Sequence, residues 1–115
     1  MMILVAGPYR SGTNDDPDLI AANMQAMNEA ALRLVRAGHL ALTGEGVALP
    51  LVALAGSERI GDAPWDELMH PIGRMLAERC DAVLRIGGPS RGADEMVEIA
   101  RSHGKAVYTS LAELV

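Results

Sequence analysis

The chain has no phenylalanine, and Tyr9, Trp65 and Tyr108 are its only aromatic residues. A core without large rings has to be assembled from Ala, Val, Leu, Ile and Met, so the places of the three rings carry information. Cysteine is nearly absent as well. The single Cys80 excludes an intramolecular disulfide and any multi-cysteine metal site, and it reads as a small packed hydrophobe. His39, His70 and His103 are widely spaced and form no H-x-H or H-x-x-x-H pair, so a metal site is not expected. An excess of positive charge is missing too. The 10 basic residues against 15 acidic ones give a net charge of −5, which argues against a nucleic-acid polymer or an anionic membrane as partner. The longest apolar stretch, Val47–Ala55, falls far short of the roughly 20 residues a membrane helix needs. Met1–Ala6 lacks the basic start and the length of a signal peptide, so a cytoplasmic location is expected.

What is present suits one domain over residues 1–115, with half of the chain apolar and 22% charged. Ile3–Ala6 is a short apolar run stopped by Gly7-Pro8, the pattern of a strand buried on both faces in a parallel sheet. A polar loop, Tyr9–Asp16, follows. Asp16 then reads as a helix cap, Pro17 as the first helical residue and Asp18 as a complement to the helix dipole. Ile20, Met24, Met27, Ala31, Leu34 and Val35 form one apolar stripe, and Gly38 ends that helix. His39–Thr43 predicts a second strand, broken by Gly44-Glu45-Gly46, and Val47–Ala55 a short helix interrupted at Pro50. Trp65–Arg79 has helical spacing, with bends expected at Pro71 and Gly73. Ala82–Ile86 predicts a third strand, Gly92–His103 a helix, Ala106–Tyr108 a fourth strand and Ser110–Val115 a last helical turn.

Strands that alternate with helices predict an α/β domain with a parallel sheet of four or five strands in the order 2-1-3-4. Ligands of such sheets sit beyond the carboxyl ends of the strands, at the point where the strand order reverses. Two loops are then expected at one crevice. Gly7, Pro8, Tyr9, Arg10, Ser11 and Gly12 follow the first strand; Gly88, Pro89, Ser90, Arg91, Gly92 and Ala93 follow the third. Glycines let backbone approach a ligand, and a helix start presents free N–H groups to an anion. Each loop also has a plainer reading: Ser90 or Gly92 as a helix cap, and Arg10 in a surface pair with Asp15, Asp16 or Asp18. Neither loop carries G-x-G-x-x-G or G-K-[ST], so dinucleotide binding and nucleotide triphosphate hydrolysis are not indicated. Asp81 begins a strand and belongs to the far end of the sheet. His70 reads as a partly exposed helix histidine, with the crevice as its alternative.

The segments A-G-P-Y-R (Ala6–Arg10), C-D-A-V-L-R-I-G-G (Cys80–Gly88), P-S-R-G-A-D-E-M (Pro89–Met96) and G-K-A-V-Y (Gly104–Tyr108) occur in order along nearly the whole chain. Together they resemble the nucleoside 2-deoxyribosyltransferase-like superfamily, in particular its small bacterial members of unassigned function. The resemblance implies a flavodoxin-like Rossmann three-layer sandwich, strand order 2-1-3-4(-5), and cleavage or transfer at the N-glycosidic bond of a deoxynucleoside or its monophosphate without a cofactor. It also implies a glutamate nucleophile early in the helix after the third strand and an acid that assists the leaving base. Spacing back from Ala100 and Gly104 puts Met96 at the nucleophile position, and a thioether is no substitute for a carboxylate. Four carboxylates are candidates to act instead: Glu95 and Asp94 in the first helical turn, Asp66 as the assisting aspartate, and Glu45 after the second strand. Each has a plainer role, as a dipole partner, a helix-start residue or a turn residue. Two functions follow: an N-glycosidase or transferase acting on a small nucleoside or nucleotide, or a nucleotide or sugar-phosphate binding domain without turnover. A homodimer or higher homo-oligomer is the expected assembly.

Overall fold

The computed structural model describes residues 1–115 as a three-layer α/β domain around a four-stranded parallel sheet. Strands β1 (Met2–Ala6), β2 (Leu40–Thr43), β3 (Ala82–Arg85) and β4 (Ala106–Tyr108) lie in the order β2-β1-β3-β4, a flavodoxin-like arrangement. Val5 pairs with both Thr43 and Leu84, so the carboxyl ends of β1, β2 and β3 are level. No fifth strand forms. After β4 the chain makes a single 3-10 turn, Leu111–Glu113.

Side chains alternate across the sheet and are buried on both faces, which is why β1 reads as an unbroken apolar run. Ile3, Val5, Ala82 and Leu84 pack under helix α1 (Pro17–Arg36) through Met27, Ala30 and Leu34. Leu4, Ala6 and Val83 face the opposite layer, where Ala77 and Cys80 pack with Ala93, Met96, Val97 and Ala100. That layer holds α3 (Ala63–Arg79) and α4 (Arg91–Ser102), with α2 (Gly44–Leu54) packed along α3. Cys80 is fully buried there. Asp81 stands at the amino end of the sheet, its carboxylate accepting the Met2 N–H at 2.7 Å.

Each long helix starts on a side-chain cap. Asp16 accepts the N–H of Asp18, Thr43 that of Gly46, Asp62 that of Trp65 and Ser90 that of Ala93. The Thr43 cap changes the reading of the glycine turn. The chain passes from β2 directly into α2, three residues before Val47, and the helix runs through Pro50. Glu45 is therefore a first-turn helical residue and not part of a connecting turn. Helix α3 likewise starts at Ala63, ahead of Trp65, and contains both Pro71 and Gly73. No helix is long and apolar enough to cross a membrane.

Candidate functional site

One pocket, of ≈ 260 Å³, opens over the carboxyl ends of the strands on the side of α2, α3 and α4. Its base is the end of β1, from Leu4 to Gly7. Tyr9, Arg10 and Ser11 of the following loop form one wall. Gly44 and Glu45 enter from α2, Trp65, Met69, His70 and Gly73 from α3, and Ser90, Gly92, Ala93 and Met96 from α4. Trp65, Met69 and Gly73 are spaced by four, so they lie along one helix face, with His70 at its margin. Gly73 is what lets α4 approach. A Cβ on Gly73 would stand 3.1 Å from the Met96 sulfur, so the thioether lies almost against the α3 backbone.

The two crevice loops are held rigidly. Arg10 grips Asp15 with a fork, Nε to Oδ1 and Nη2 to Oδ2 at 3.0 Å, and this bond holds the Asp15 carboxyl below its usual pKa and the Arg10 guanidinium above its own. Asn14 and Asp15 adopt left-handed backbone, φ 49° and 59°, which Asn and Asp tolerate better than other side chains. The buried Thr13 hydroxyl donates to the Arg10 carbonyl and accepts the Asp15 N–H, while Asn23 donates to the Tyr9 carbonyl at 2.9 Å. Arg10 thus pairs with Asp15 and also faces the pocket. The second loop is held by Arg85 at the end of β3. Its guanidinium donates to the carbonyls of Ile86 and Gly88 and, through Nε, to Asp94 at 3.1 Å. Gly87 joins the two loops: its φ is +77°, and a Cβ there would stand 2.7 Å from Pro8.

Of the loop residues singled out from the sequence, Gly7, Tyr9, Arg10, Ser11, Ser90, Gly92 and Ala93 line the pocket; Pro8, Gly12, Gly88, Pro89 and Arg91 do not. Of the four candidate carboxylates, only Glu45 lines it. Asp94 is taken by Arg85, and Asp66 lies off the lining face of α3. Glu95 stands behind the wall, its Oε2 3.3 Å from Nδ1 of His70. Met96 is inward and buried. Arg85, Met69 and Gly73 escaped the sequence reading. A lone charge closing an apolar strand just before Gly87-Gly88 was the available signal for Arg85.

The site combines apolar walls with few polar groups. Burial pushes the Glu45 carboxyl above its usual range, with a contact from its own N–H acting the other way. No other residue hydrogen-bonds that carboxyl. Burial raises the Tyr9 hydroxyl too, and the negative charge of Glu45 adds to the effect. The Tyr9 and Trp65 rings lie 6.1 Å apart and are tilted by 30°. Two successive contact layers need roughly 7 Å, so a flat ligand has to lie against one ring and cannot enter between them. Tyr108, the third ring, packs on the α1 side of the sheet. No group of three or more His, Cys, Asp or Glu residues gathers to hold a metal. Compared with known proteins, the chain matches no protein-family model and no curated protein.

Proposed function

We propose that this protein binds a nucleoside or its monophosphate in the pocket and hydrolyses the N-glycosidic bond by direct attack of water, with Glu45 protonating the departing base. The observation that supports this reading is the half-buried Glu45 carboxyl, the one carboxylate in the lining, held toward its neutral form. A base leaves as a poor anion unless its nitrogen receives a proton, and a carboxyl whose protonated form is favoured by burial is suited to give one. Met96 removes the route through a glycosyl-enzyme intermediate, since a thioether does not stand in for a carboxylate nucleophile. The exposed face of Tyr9 or Trp65 suits the base. The start of α4, with Ser90 and Gly92, suits a sugar hydroxyl or a 5′-phosphate. The test is a panel of ribo- and deoxynucleosides and their monophosphates, followed for free base. Release is expected from at least one, and about 100-fold less from Glu45→Gln. Folded protein that releases no base from any of them overturns the proposal.

Met96 also favours a second reading. Buried against Gly73, it fills with an apolar side chain the place where the family resemblance implies a nucleophile. On that reading the domain binds a nucleotide or sugar phosphate without turnover. A ligand at a hundred times its dissociation constant then stabilises the fold by about 2.7 kcal/mol. A thermal shift without base release selects this reading over the first.

A further inference from the structure

We propose that His70, oriented by Glu95, is the base that takes the proton from the attacking water; this rests on the hydrolytic reading above. The pocket lining contains four titratable side chains: Tyr9, Arg10, Glu45 and His70. Arg10 is a cation locked onto Asp15 and has no site to accept a proton. Tyr9 keeps its proton, because burial holds the hydroxyl neutral. Glu45 is committed as the acid. The imidazole is the acceptor that remains, and imidazole is the commonest general base in enzymes.

Its surroundings fit the role. His70 sits at the margin of the lining face of α3, with its side chain 48% exposed, so water reaches it from bulk solvent. From α4, Glu95 places a carboxylate oxygen 3.3 Å from Nδ1. A carboxylate there favours the tautomer with the proton on Nδ1, which leaves the lone pair on Nε2. This gives the otherwise unremarkable surface pair a purpose beyond the small stability of an exposed ion pair.

The step balances. The water oxygen forms a bond to C1′ as the C1′–N bond breaks, and that bonding pair goes to the base nitrogen. Glu45 gives the nitrogen its proton, and His70 Nε2 takes one from the water. The products are the free base and a sugar with a C1′ hydroxyl. A proton then passes through solvent from the imidazolium to the Glu45 carboxylate, and both groups are reset.

The test measures kcat and KM for base release by wild type, His70→Ala, His70→Gln, Glu95→Gln and Glu45→Gln, with melting temperatures as a folding control. His70→Ala and His70→Gln are expected to lose about 100-fold in kcat with KM unchanged. Glu95→Gln is expected to lose less, since it orients the imidazole without meeting the water. Added imidazole is expected to restore part of the release to His70→Ala, whose vacated place opens to solvent, and none to Glu45→Gln. A His70→Ala protein with wild-type kcat, alongside an impaired Glu45→Gln, overturns the base and leaves hydrolysis standing. A loss in His70→Ala that follows KM or melting, with no response to imidazole, overturns it equally. A wild-type protein that releases no base overturns both proposals.

Discussion

The two faces of the sheet are packed on different plans. Under α1, the core is made of large aliphatic side chains that are almost completely enclosed: Ile3, Val5, Met27, Leu34 and Leu84. No α1 residue lines the pocket. On the other face most of the core is small, with Ala6, Ala77, Cys80, Ala93 and Ala100 around Leu4, Val83, Met96 and Val97. Small residues bring α3 and α4 close together, and over the strand ends that layer leaves space unfilled. Burial of large apolar groups is the main source of stability, whereas a site needs room and polar groups with few partners. The α1 face carries the first task, and the opposite face carries the second.

The largest effect should come from the filled face. Leu34 is fully buried between α1 and the sheet. Leu34→Ala removes its transfer energy and leaves a cavity, so a loss of about 3 kcal/mol is expected in urea unfolding. On the proposed hydrolytic reading, base release per folded molecule should stay at the wild-type level, since no part of α1 reaches the lining. A loss below about 1 kcal/mol would mean that the two faces share the load more evenly than their side chains suggest.

The same division explains what the sequence could show. Strand runs and helix caps are local or depend on period, so Asp16, Gly38 and the four strands could be read directly, and the sheet order followed from the alternation of strands with helices. Helical phase alone turns Met96 inward with Ala93, Val97 and Ala100. Which carboxylate enters the pocket depends on how three helices rotate against one another, and no local pattern encodes that. In the sequence Glu45 stands level with Asp66, Asp94 and Glu95. Only the Thr43 cap, which starts α2 early, brings it to the lining, while Arg85 and His70 engage the last two. Tyr108 closes β4 at the end of the sheet where the pocket lies, yet its side chain goes to the α1 side, which depends on strand register and is set by no local pattern.

A smaller change in stability with a larger change in binding is expected at Gly73. In Gly73→Ala the new methyl group stands 3.1 Å from the Met96 sulfur, so the thioether has to shift, and the space beside it is the pocket. Alanine in mid-helix gains about 1 kcal/mol over glycine, which offsets most of the repacking. Unfolding free energy should therefore change by less than about 1 kcal/mol, while on the proposed reading the thermal shift produced by a nucleotide falls. Unchanged ligand binding would show that Met96 has room to move elsewhere, and that the pocket wall is softer than the α1 core.

The smallest effect separates the faces most cleanly, because it reverses the usual sign. The folded chain holds the Glu45 carboxyl above the ordinary glutamate value of 4.5, chiefly by burial. A carboxyl raised in the folded state binds its proton more tightly there than in the unfolded chain. The associated stability is fully present below the unfolded value and is lost as pH rises through the folded one. Above that folded value the wild type bears the cost of a half-buried charge that no other residue hydrogen-bonds. Glu45→Gln keeps the shape and has no charge to desolvate. It is expected to melt above wild type at about pH 8, with the difference vanishing below about pH 4, where the wild-type carboxyl is protonated in both states. A variant that melts below wild type at about pH 8 would mean that the ionised carboxylate is held by favourable contacts, which would remove the physical basis for its role as an acid. If the variant gains stability and loses base release together, Glu45 is a residue whose conformational cost is tolerated for its chemistry, the reverse of Leu34 beneath the other face.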